Sequence, residues 1–131
     1  MSSSESNREH ARALLEMARK DARALAGMRD PEVFADEIFG FHAQQAVEKA
    51  LKAWCAHRGI TYPLTHDLSE LLSLLREDGC DVDAFDDVLR FNSFAVLFRY
   101  ESLDETLPVF DRETVVRDID DLLEEVAQRL E

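Results

Sequence analysis

The sequence predicts an all-α fold, an antiparallel up-and-down bundle of about five helices in a single domain spanning 1–131. Three observations predict it. Apolar residues recur at three- and four-residue steps along most of the chain. Glycine (4) and proline (3) are sparse, against a turn-rich β-sandwich or low-complexity disorder. No useful stretch alternates as a strand would, and neither an internal repeat nor a Gly-rich phosphate loop is present.

Residues 1–4 read as a frayed start. The first helix covers about Glu5 to Ala26, with Ala11, Leu14, Leu15, Ala18, Ala22 and Leu25 on one face, and Gly27 ends it. Asp30-Pro31-Glu32 opens the second: Asp caps, Pro suits the first turn and Glu favours the positive end of the helix dipole. It runs to about His57 before Gly59, and its Ala- and Gly-rich middle lets a neighbouring helix approach closely. Ile60 to His66 is a loop containing Pro63. Asp67 with Glu70 forms a capping box for a short helix through Leu75, stopped by Gly79. Asp81 or Asp83 caps a fourth helix reaching about Tyr100. Residues 101–110 form a loop, and Asp111 caps the last helix, with Val115, Ile119, Leu122, Val126 and Leu130 inward.

The fourth helix is apolar on two faces. Phe85, Val88, Asn92, Val96 and Arg99 follow one stripe, and Phe91, Phe94 and Phe98 follow another. Either this helix sits at the centre of the bundle or its second face buries against another chain; a bundle of 131 residues has little interior left for a central helix, so burial against a twin copy is expected. A homodimer through Phe91, Phe94 or Phe98 is the smallest closed symmetric answer.

The chain carries a net charge of −13, unevenly placed. Residues 1–60 hold 9 Lys+Arg and 9 Asp+Glu, so the remaining 6 and 19 put the whole excess in residues 61–131. Direct RNA or DNA binding is therefore expected to be weak, and binding to an anionic membrane surface is disfavoured. The two cysteines, Cys55 and Cys80, form no CxxC pair and read as free thiols in a reducing compartment. Met1 to His10 shows no signal-peptide pattern and no window is apolar enough to span a membrane, so a cytoplasmic protein is expected. The four histidines are scattered without carboxylate spacing, so neither a metal set nor a cofactor is expected.

The second helix carries the polar residues of most interest. Gln44, Glu48 and Lys52 step by four along one ridge, with Glu48 and Lys52 in the favourable order for an ion pair. Gln45 and Lys49 form the adjacent ridge, one turn after His42. Spacing alone reads these as an exposed polar face. His66 beside Asp67 suits a helix start, and His42 suits a packed or partly exposed structural role. Asn92 on an apolar stripe needs a partner, since a buried amide is unfavourable unless hydrogen-bonded. The backbone, Arg99 or a twin helix would serve.

Phe41–Ala53 (FHAQQAVEKALKA), then Thr65-His66-Asp67-Leu68 after Pro63, then Phe98-Arg99-Tyr100-Glu101, resemble in order and separation the prokaryotic HEPN domain family, over roughly residues 8–128. The resemblance implies an up-and-down helical bundle that commonly dimerises. It also implies pairing with a minimal nucleotidyltransferase and links to toxin–antitoxin and RNA-processing systems. Many members are metal-independent ribonucleases using an Arg followed within a few residues by a His. Arg would stabilise phosphate charge and His would move a proton. Here neither Arg90 nor Arg99 has a downstream His, because His66 is the last in the chain; Arg99-Tyr100 matches the family's Arg-Tyr variant.

The resulting expectation is a non-catalytic HEPN-type module that dimerises and binds a nucleotide or acts with a minimal nucleotidyltransferase. Its ligand or partner site would combine His42, Gln45, Glu48, Lys49, His66, Arg90, Asn92, Arg99 and Tyr100. Lys49 and the arginines would meet phosphate, while Gln45 and Asn92 would hydrogen-bond a base or a partner. The alternatives are an acidic adaptor or antitoxin using Asp111, Asp118, Asp120, Asp121, Glu124 and Glu125, or a ribonuclease with Tyr100 replacing the missing His.

Overall fold

A computed structural model describes residues 2–97 and 111–131. Their elements are α1 (Ser2–Ala26), α2 (Asp36–His57), α3 (Leu68–Glu77), a 3-10 helix (Asp83–Phe91), α4 (Asn92–Leu97) and α5 (Arg112–Arg129). They are all helical and form the expected bundle. The central rod is α2, which touches every other element. Its Ala43, Ala46, Ala50 and Ala53 are fully buried, and the small side chains let α1 lie close along it. Trp54, Phe39, Leu51 and Ile119 are among the largest buried side chains of the core.

Several boundaries differ from the expected ones. Helix α1 already begins at Ser2, where residues 1–4 were expected to fray. Helix α2 begins at Asp36 rather than after Asp30. Asp30 closes a turn instead: its Oδ1 accepts the Glu32 amide at 2.9 Å and its carbonyl accepts the amides of Val33 and Phe34. At α3 the Asp67 carboxylate caps as expected, accepting the Ser69 amide at 2.9 Å. The reciprocal bond expected from Glu70 comes from Thr65, whose Oγ1 accepts the Asp67 amide at 3.0 Å. Asp111 stands at the start of α5 in extended backbone, but its carboxylate takes the Thr114 hydroxyl rather than a backbone amide.

Gly59 and Gly79, with φ of 74° and 91°, stop α2 and α3. In each, the amide after the glycine reaches back to the helix: Ile60 to the Cys55 carbonyl and Cys80 to the Leu75 carbonyl. This pairing needs a left-handed residue between, which favours glycine.

The aromatic segment is the main correction. Residues 83–91 wind as a 3-10 helix, not as the first turns of a long α-helix. At three residues per turn, Val82, Phe85, Val88 and Phe91 fall on one line rather than two stripes. Phe91 and Phe94 are buried inside the chain at 0% and 1% exposure, so neither ring is presented to a twin copy. The Phe94 ring lies against Gly40 so closely that a Cβ there would overlap it. Phe98 lies outside the described residues, as do Arg99, Tyr100 and the loop expected over 101–110.

Candidate functional site

The ridge read as an exposed polar face is buried: Gln44 is 0% and Glu48 5% exposed. Because α2 runs through the middle of the bundle, its polar ridge meets the Ile60–Asp67 loop instead of solvent. Glu48 is the hub. Its Oε1 accepts from Gln44 Nε2 at 2.8 Å and from His66 Nδ1 at 2.8 Å, and its Oε2 accepts from Lys52 Nζ at 2.9 Å. Burial alone would push this carboxyl up, but the bonds from Gln44, Lys52 and His66 and the Lys52 charge outweigh it and hold it below its ordinary value. Gln44 Nε2 also reaches the His66 carbonyl at 3.1 Å, and its Oε1 accepts from Gln45 Nε2 at 2.7 Å. The loop is pinned from its other end by Tyr62, bonded to His10 of α1 at 2.9 Å and lying under the Lys52 ammonium.

One residue past His66, a second network joins the loop to α4. Asn92 Oδ1 accepts the Leu68 amide and its Nδ2 donates to Asp67 Oδ1, both at 2.8 Å. Asn92 is thus satisfied by backbone and by the cap of α3. The Asp67 carboxyl is held below its ordinary value by the Ser69 hydroxyl first and Asn92 second, against a smaller burial penalty. Beside this junction lies a cavity of about 530 Å³. Leu64 and Ala95 give it apolar wall, His66, Asp67 and Asn92 give it polar groups, and the hydroxyls of Thr65 and Ser93 complete it.

The site expected as one cluster is therefore divided. Gln45, Glu48, His66 and Asn92 belong to the two joined networks. His42 and Lys49 turn instead to α1, where Asp21 takes His42 Nδ1 at 3.1 Å and Lys49 Nζ at 2.7 Å. Arg90 points to α5: its Nη2 meets Asp118 at 3.3 Å and its guanidinium lies over the Phe91 ring. Its own cavity, about 320 Å³, is lined by Asp87, Asp118, Asp121 and Glu125 as well. Lys49 and Arg90, expected to meet phosphate together, are thus each occupied by a carboxylate on a different helix. Arg99 and Tyr100 lie outside the described residues.

Three residues escaped sequence reasoning. Gln44 stood on the right ridge, and its burial was the missing fact. Asp21 carries no local signal, since its partners are 21 and 28 residues away. Arg112, 7% exposed, donates to the carbonyls of Met28 and Phe34 and to the Asp36 carboxylate, each at 2.8 Å. It clamps the turn between α1 and α2 onto α5. Among the described residues no group of three His, Cys, Asp or Glu is arranged to hold a metal ion, and no helix is long and apolar enough to cross a membrane.

Comparison with curated proteins and with solved structures finds no match. The family model for the HEPN domain matches residues 11–131, which include both networks and the cavity between them. The chain belongs to the HEPN domain family.

Proposed function

We propose that this chain is a HEPN-type binding module that takes a nucleotide in the cavity between the Ile60–Asp67 loop and α4. The observation that carries this reading is the cavity itself, about 530 Å³, bordered by an imidazole, a carboxylate and an amide that other side chains already hold in place. Pockets of this size suit small ligands, and groups fixed beforehand lose little freedom on binding. His66 is fixed by buried Glu48, and Asn92 by Asp67 and the Leu68 amide.

A binding role fits the sequence better than RNA cleavage. Neither Arg90 nor Arg99 is followed by a His, and Arg90 is paired with Asp118. On this reading a minimal nucleotidyltransferase is the protein partner, as the family resemblance implies, in a toxin–antitoxin-like setting. The test is a melting-temperature screen of the purified chain against nucleotides. A ligand at about 100 times its Kd stabilises by about 2.7 kcal/mol. The shift should vanish in Asn92→Ala. A nucleotide panel that leaves the melting temperature unchanged overturns the reading.

The acidic face of α5 favours a second reading. Asp111, Asp120, Asp121 and Glu124 are exposed there, whereas Asp118 and Glu125 hold Arg90 and Arg129. An adaptor using this face would bind a basic partner with steep salt dependence, because exposed charge pairing is screened.

A further inference from the structure

On the seam between α1 and α2, the two ring nitrogens of His42 have different surroundings. Nδ1 stands 3.1 Å from Asp21 Oδ1, and a carboxylate oxygen accepts, so this nitrogen carries the proton. Nε2 then holds the lone pair. Among the described side chains the enclosed nitrogen or oxygen without a partner is His57 Nδ1, so Nε2 of His42, which has no partner either, is open to solvent. Phe41 meets the ring edge-on at 5.6 Å and fixes it from a second side. An imidazole 31% exposed thus rests on a carboxylate only 13% exposed.

These surroundings favour attack by Nε2 on an electrophile. An imidazole that attacks through Nε2 becomes positively charged while Nδ1 keeps its proton, and Asp21 faces that charge. Lys49 Nζ takes the other oxygen, Oδ2, at 2.7 Å, so Oδ1 serves His42 alone. His66 also leans on a carboxylate, but that oxygen, Glu48 Oε1, is shared with Gln44. His10 pairs with the Tyr62 phenol. Neither cavity described above is lined by His42, so its electrophile is one that diffuses to it. A phosphoryl group suits the position. It brings negative charge against the positive ring it creates, and Lys49 offsets the Asp21 carboxylate nearby.

We infer that His42 Nε2 is a phosphoryl-acceptor site, loaded by a donor whose phosphorus is bonded to nitrogen. The Nε2 lone pair attacks phosphorus and a new N–P bond forms. The donor's own P–N bond breaks and its nitrogen leaves with the electron pair, as ammonia when the donor is phosphoramidate. The proton on Nδ1 stays between the ring and Asp21. Asp21 and Lys49 are positioning residues, and the site is independent of the nucleotide reading.

Timed incubation of the purified chain with potassium phosphoramidate at neutral pH tests it, with labelled residues located by peptide mass spectrometry. His42 should be labelled first, ahead of His10 and His66, although His10 is exposed. Phosphorus NMR should place the group on Nε2. Asp21→Asn should slow His42 labelling roughly tenfold, as removing a histidine's carboxylate partner does elsewhere, and leave His10 labelling and circular dichroism unchanged. If His10 or His66 is labelled before His42, the inference is overturned by the wild-type chain alone, whatever the variant does. Attachment at Nδ1, or an unchanged His42 rate in natively folded Asp21→Asn, overturns it as well.

Discussion

Gly40 and Phe94 form a contact whose energetics change sign with the partner. A methyl group at Gly40 would overlap the Phe94 ring, which is 1% exposed and packed between α4 and α2. Overpacking of this kind costs about 1–3 kcal/mol, and the closeness of the overlap argues for the upper end. Replacing glycine by alanine within a helix returns about 1 kcal/mol. Gly40→Ala should therefore lose about 2 kcal/mol. Phe94→Ala removes a buried ring and should lose about 3–5 kcal/mol. With the ring gone the new methyl has room, so Gly40→Ala in the Phe94→Ala background should gain about 1 kcal/mol. The coupling between the two sites is then about 3 kcal/mol, at the high end for residues in contact. Urea denaturation of the four proteins, followed by circular dichroism, measures each corner of the cycle. If Gly40→Ala is equally destabilising with and without the ring, Phe94 does not sit on Gly40. The reasoning that turned this ring inward then fails.

Three further outcomes are expected. Glu48 has a folded-state pKa below its ordinary value of 4.5, so its contribution to stability is present above about 4.5 and is lost as pH falls toward the lower folded value. Asp67 acts in the same direction from 3.8 downward, so urea midpoints should fall through this acid range, less steeply in Glu48→Gln; an equal slope would remove Glu48 from the account. The Cys55 thiol is fully buried and pushed up to about 12, whereas Cys80 is half-buried. Iodoacetamide should label Cys80 alone in the native protein and both cysteines in urea, as read by intact mass. Arg112→Met leaves the Met28 and Phe34 carbonyls without their guanidinium donor and should lose about 3 kcal/mol, measured by thermal unfolding; a change under about 0.5 kcal/mol would show that the clamp carries little.

Much of the architecture could be read from apolar spacing. Helices α1, α3 and α5 appear near their expected positions because each buries one face and has a clear end signal, such as Gly79 or Asp67. Asp30-Pro31 misled because the same residues that open a helix also close a short turn. The polar ridge of α2 shows a different limit. Gln44, Glu48 and Lys52 at four-residue spacing announce a ridge, but only the packing of α2 among all its neighbours decides that the ridge is buried. That decision turned a surface ion pair into the hub that holds His66. The aromatic segment failed for a third reason. Its residues were assigned to faces using 3.6 residues per turn, and the chain uses three.

The pitch of that segment has reach beyond itself. A 3-10 helix advances about 2.0 Å and 120° per residue, an α-helix about 1.5 Å and 100°. Rewound to the wider form, the nine residues Asp83–Phe91 would shorten by about 4.5 Å and swivel whatever follows by about half a revolution. Phe91 would leave the interior and Asn92 would release the Leu68 amide. A single residue inserted or deleted between Val82 and Asn92 would therefore be felt at His66 and Asp67, although neither is its neighbour in the chain.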